Sequence, residues 1–201
     1  MSYVNPTASA INTIGLDGVI TSLQSKFALL SWLPKVFHRA YIHREISNGR
    51  TATVPRVWIS SNEWYNCLPN DNITAQAFFL PTSDETVSEF DNHVDPLMKA
   101  DISLIVWCNT EKLSNHTTGP SLANEKADVL SILKNHDSVL SIQSVIDRSA
   151  KDIYREFDIF GGLISGSDQA STFTHYTMMP YAGFRVNFSV KFNYTVCLPI
   201  S

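Results

Sequence analysis

Seven apolar residues stand at alternating positions near the end of this chain: Phe184, Val186, Phe188, Val190, Phe192, Tyr194 and Val196. Arg185, Asn187, Ser189, Lys191, Asn193 and Thr195 fill the gaps. A period of two belongs to a β-strand with one buried face, because successive side chains point to opposite sides of a sheet. Strands usually run about 5–6 residues. At roughly 3.3 Å per residue this one spans on the order of 45 Å. The chain must therefore build a sheet, and the far end of the strand needs a surface to cover it.

The rest of the sequence supplies further elements. Leu16, Ile20, Leu23, Phe27 and Leu30 recur on one helical face between residues 12 and 32, with Asn12 or Thr13 as cap and Pro34 as stop. Asn48–Gly49 between two β-rich runs predicts a hairpin, and Pro55 inside the second run places that strand at an edge or a bulge. Residues 75–81 read as a strand, and the acidic stretch 83–96 as a loop with a helical turn. The apolar run 101–108 reads as a central strand buried on both faces. A helix over 121–136 follows, capped by Ser121, with Ala123, Ala127, Leu130 and Leu133 inward. A strand over 139–146, a short helix over 149–157, a Gly-rich loop over 161–172 and the terminal strand complete the pattern. The expected class is α+β: a mostly antiparallel sheet flanked by two or three helices on one face, with a long C-terminal strand. Residues 1–11 read as a flexible N-terminal arm, and 12–201 as a single domain with a possible insertion at about 50–100.

Charge and cysteines narrow the function classes. The net charge is −4 and charged residues make up 17% of the chain, below the usual 25% or so. There is no Lys/Arg block, which argues against a free-standing nucleic-acid binder. Cys67, Cys108 and Cys197 are far apart and match no metal-ligand spacing, so they read as reduced thiols. The opening residues show no basic region followed by an apolar core, so no signal peptide is expected. No apolar run reaches 18 residues, so no membrane span is expected.

Catalytic patterns are equally sparse. The chain has no phosphate-binding GxxxxGK[ST] or GxGxxG, and Ser165 sits in a context unlike a nucleophile elbow. His38 and His43 are five apart and point to opposite strand faces; Glu45 shares a face with His43. His93 between Asp91 and Asp95 lacks the loop of oxygens that a hard cation needs. No metal and no cofactor is expected. Trp58, Trp64, Tyr65 and the cluster Met178, Met179, Tyr181 and Phe184 suit either a core or a subunit interface.

The order of elements around "ADISLIVWCNTEKL", "LANEKADVLSIL" and "DIYREFDIF", ending in the long β segment, resembles the tail-terminator (tail-completion, neck) proteins of tailed bacteriophages and related head–tail joining proteins. The resemblance implies a structural protein without catalysis. It implies closed rings, six-fold or, near a portal, twelve-fold, that meet portal or connector and tail proteins. Genomic DNA passes through such a ring without specific binding, and no membrane is involved. The location it implies is the virion neck or tail, assembled in the host cytoplasm. Within that reading the expected subunit interface is Met178, Met179, Phe184, Val186, Phe188, Val190, Phe192 and Tyr194, with Arg185 and Lys191 as solvated charges on the opposite strand face. Two other readings stay open: a non-viral interaction or adaptor domain, and an enzyme with a scattered site that uses His38, His43 and Glu45.

Overall fold

The computed structural model describes residues 14–47, 50–60, 63–90, 96–113, 122–157 and 180–194. The expected arm at 1–11 and the Gly-rich loop at 161–172 lie outside them. The elements are α1 (Gly15–Phe27), β1 (Lys35–Ser47), β2 (Arg50–Ser60), β3 (Glu63–Asn66), β4 (Ala75–Pro81), β5 (Thr86–Phe90) and β6 (Pro96–Asn109). A 3-10 turn at Thr110–Lys112 leads on to α2 (Ala123–Lys134), β7 (Val139–Ile146), α3 (Ala150–Ile153) and β8 (Tyr181–Phe192). The class is α+β, with one sheet in the order β3-β2-β1-β4-β6-β8-β7 and β5 beside β6. Every pairing is antiparallel except that of β1 with β4.

The long terminal strand finds its cover within its own chain. β8 pairs with β6 along all of its length, from Asn109↔Tyr181 to Met98↔Phe192. β7 flanks its other side. Gly183 is required for this close approach, since a Cβ there would lie 2.3 Å from the Trp107 ring and 2.5 Å from the Val106 carbonyl oxygen.

The two faces of the sheet carry separate cores. On one, α1 and α2 cover the alternate residues Ile102, Leu104 and Val106 of β6 and Phe184, Val186 and Phe188 of β8. On the other, Ile153, Tyr154 and Phe157 of α3 and its exit pack on Phe78, Ile105 and Trp107. The short third helix is thus on the opposite face from the other two. Period-two alternation on β6 and β8 creates both cores, since each strand sends apolar side chains to one face and mixed ones to the other.

Several local expectations are corrected. Within the segment 83–96, Thr86–Phe90 forms β5 rather than loop, because the start of β6 extends past the end of β4 and β5 pairs with it; residues 91–95 lie outside the described residues. The expectation for Pro55 is not among the corrected ones: β2 lies between β1 and β3, but β3 pairing ends at Arg56↔Asn66, so β2 is a local edge at Pro55. Its carbonyl accepts from Cys67 N just where β3 pairing ends, so the missing Pro N–H faces a side with no ladder to satisfy. In α2 the buried stripe is Leu122, Glu125, Val129 and Leu133, while Ala123 and Ala127 are exposed. The larger apolar side chains take the inner face, since burial scales with apolar area. Leu122, in the left-handed region at φ 47°, precedes the helix without a side-chain cap bond; Ser121 lies outside the described residues. α1 likewise starts without a side-chain cap at Ile14 and ends at Phe27, short of the expected Trp32.

Candidate functional site

Beyond Ala40 the β1–β2 hairpin leaves the sheet. The last pairing of β1 with β4 is Arg39↔Phe79. Past it, among the described residues, β1 pairs only with β2, in unbroken register from Ala40↔Val57 to Ser47↔Arg50. Tyr41, Ile42, His43 and Arg44 are all exposed, so both faces of this part of β1 are open. On the β2 side Val54 and Val57 are buried, and Thr53 Oγ1 donates to the Glu156 carbonyl at 3.3 Å.

At the root of the ribbon lies a cleft of about 320 Å³, lined by Asp17, His38, Arg39, Tyr41, Trp58 and Trp64. Trp58 and Trp64 are directly paired across β2–β3. Tyr41 meets Trp64 edge-on at 5.7 Å, and the Arg39 guanidinium stands 5.2 Å from the Tyr41 ring. Arg39 also pairs with Asp17 at 3.5 Å. His38 Nε2 is 3.1 Å from Thr21 Oγ1, and burial holds its imidazole below the ordinary value.

A second cavity of about 580 Å³ opens where α1 begins, between Gly15, Gly18, His136, Lys191 and Phe192. Ser138 N donates to His136 Nδ1 at 3.2 Å, so neutral His136 carries its proton on Nε2 and donates it to Ser22 Oγ at 3.0 Å. Burial lowers this imidazole too.

The expected interface residues divide in three. Phe184, Val186, Phe188 and Val190 are fully buried and Phe192 nearly so, all in the core under α1 and α2. They face their own chain and not a neighbouring subunit, because β6 matches β8 in length and two helices cover the shared face. Tyr194 is 49% exposed. Its ring lies against Gly15, whose φ of +66° and lack of room for a Cβ both require glycine, and its hydroxyl donates to Glu85. That hydrogen bond pushes the phenol up to about 12. Met178 and Met179 lie outside the described residues.

Arg185 is the residue that sequence reasoning misplaced. Its guanidinium is fully buried on the α3 face rather than solvated. Nη2 donates to Glu156 Oε1 at 2.7 Å and Ser103 Oγ at 2.7 Å, Nε to Asn187 Oδ1 at 2.8 Å, and Nη1 to the Ile153 carbonyl at 3.3 Å. Burial pushes the Glu156 carboxyl up. Hydrogen bonds from Arg185 and Arg155 and the Arg185 charge outweigh it and hold the carboxyl below its ordinary value. The pair ties α3 to the sheet. The available signal was Glu156 among Ile153, Tyr154 and Phe157, an apolar set that had to pack on a second sheet face.

Other sequence candidates do not converge. His38 packs on α1 while His43 is exposed on the ribbon; the side chain of Glu45 and all of His93 lie outside the described residues. Among the described residues no three His, Cys, Asp or Glu side chains gather as a metal site. Cys67 and Cys108 are buried thiols, raised by burial. No helix among the described residues is long and apolar enough to cross a membrane.

No protein-family model and no curated protein sequence matches this chain.

Proposed function

We propose that this chain is a structural virion protein of a tailed bacteriophage, forming a homo-oligomeric ring of six or twelve copies in the neck or tail. The observation that carries this reading is the projecting β1–β2 ribbon. Its β2 side is held to its own chain through Val54 and Val57, while its β1 side exposes Tyr41 and Ile42. It calls for a second surface, and a repeated head-to-tail contact closes into a ring when the rotation fits. Placement in the neck or tail rests on the order of elements: an N-terminal helix, a hairpin, an apolar central strand, then helix, strand and long terminal strand. That order is the one on which the tail-terminator resemblance stands. The ring joins portal or connector proteins to the tail, and the genome passes through it without specific binding.

The test is the solution mass by light scattering, with negative-stain images of the same fraction. Six or twelve copies around a central hole is the expected result. A monomer or a two-fold dimer over the whole accessible concentration range overturns the reading.

A further inference from the structure

β1 is irregular just where the cleft at the root of the ribbon forms. Its register on β4 shifts between Val36 and Arg39. Successive strand residues normally point to opposite faces, and a shift of this kind re-aims a side chain. His38 and Arg39 are adjacent in sequence, yet both reach Asp17 in the first turn of α1. His38 Nε2 lies 3.3 Å from the Asp17 carbonyl oxygen, and Arg39 Nη1 donates to Asp17 Oδ1 at 3.5 Å. Tyr41, two residues on, shares the face of Arg39. The cross-strand pair Trp58 and Trp64 completes the wall of the 320 Å³ cleft. That volume is at the lower end of small-molecule sites, which hold about 300–1,000 Å³.

The acid and the base in this cleft offset each other. A cationic ligand would meet Arg39, whose guanidinium already stands 5.2 Å from the Tyr41 ring. An anionic ligand would meet the Asp17 carboxylate. A neutral ligand meets neither repulsion.

Hydrogen-bonding capacity is left over beside the aromatic surface. Among the described residues the Arg39 guanidinium makes one hydrogen bond, to Asp17, at the long limit for such a bond. Its Nε is buried without a partner. The Asp17 carboxylate has the same single bond. A guanidinium offers five N–H donors and a carboxylate about four lone-pair sites. Trp64 is 49% exposed and Tyr41 43%, so the aromatic wall is open at the mouth.

We propose that this cleft binds a neutral sugar ring. Adjacent hydroxyls of a pyranose each donate and accept, so one accepts from Arg39 while its neighbour donates to Asp17. The C–H face of the same ring packs on Trp58 and Trp64, because aromatic faces carry the negative part of the ring quadrupole. All of these residues belong to one chain, so the site is independent of the ring reading above. A ring would add avidity for a polyvalent glycan, since several copies bind at once.

The probes are the methyl glycosides of glucose, galactose, mannose and N-acetylglucosamine, added to the full chain. The tryptophan indole N–H signals in NMR are the readout, and Trp58→Phe and Trp64→Phe assign the two that matter. At least one glycoside is expected to shift both signals saturably, with a Kd on the order of 1 mM for a single ring. That Kd is expected to stay constant between about 0.1 M and about 1 M salt, since a neutral ligand is not screened. Asp17→Asn and Trp64→Ala are each expected to weaken binding by about tenfold or more. Thermal melts check that these variants keep the wild-type fold, and Trp64, half exposed, is the safer of the two. No saturable shift with any of the four at about 50 mM overturns the proposal, as that is far above the expected Kd. Shifts confined to other tryptophans, or binding undiminished in both variants, overturn it too. Glycosides that stay silent while tetramethylammonium or acetate moves the same signals in a salt-dependent way would make this an ion site, and the proposal fails.

Discussion

At the scale of single residues the most consequential side chain is Arg185. It lies in the middle of β8, on the face that alternation assigns to polar residues, and sequence alone gives no reason to bury it. The structure covers it with α3 and satisfies it with Glu156, Ser103 and Asn187. Removing one partner of a buried ion pair strands the other, typically at about 3–5 kcal/mol. Glu156→Gln is therefore expected to lower the unfolding free energy by about 3 kcal/mol in urea titrations. A loss under about 1 kcal/mol would mean that Ser103, Asn187 and the Ile153 carbonyl already suffice for the guanidinium. Glycines 15 and 183 are legible as glycines but not as necessities. Only the rings of Tyr194 and Trp107 and the Val106 carbonyl show why a Cβ cannot enter.

At the scale of elements the strands with strong patterns were readable. The runs 75–81 and 139–146 coincide with β4 and β7 because apolar and aromatic density marks the first and β-branching the second. β3 and β5 were not readable. Each is short and shows no run of alternating apolar residues, and each pairs along a neighbouring strand's edge. The same reasoning separates the firm parts of the sheet from the ribbon. Ile102–Val106 lies between β4 and β8 under packed cores, whereas Tyr41–Ser47 pairs on one side only among the described residues. Elements with few buried contacts open at low free energy. Hydrogen–deuterium exchange on dilute protein is expected to label the Tyr41–Ser47 amides orders of magnitude faster than those of Ile102–Val106, and assembly is expected to slow the ribbon. Equal protection of both segments in the dilute protein would contradict a free ribbon.

At the scale of the whole molecule three groups among the described residues make stability sensitive to acid. Burial holds His38 and His136 below their ordinary values. The unfolded chain therefore binds protons first as pH falls. The stability gained by keeping these imidazoles neutral is complete above about 6.5 and is lost as pH falls through their lowered folded values. Glu156 is also held low, so its contribution is complete above about 4.3 and is lost as pH falls below that. Denaturation midpoints are expected to drop between about pH 7 and pH 5, and again below about pH 4.5. Replacing both histidines with Gln is expected to flatten the first drop and leave the second. A first drop that survives the double replacement would assign it to other groups.

The sequence by itself determined the α+β class, the amphipathic first helix, the apolar central strand and the buried face of the terminal strand. Each is written in local periodicity, which backbone geometry converts directly into a face. Only the tertiary structure decided that β6 and β8 match in length and cover each other. It also decided that α3 crosses to the second face with Glu156, and that β5 takes the lane that β4 vacates beside β6. Those outcomes depend on where strands begin and end relative to neighbours far away in sequence, and a residue's own surroundings in the chain do not encode that register.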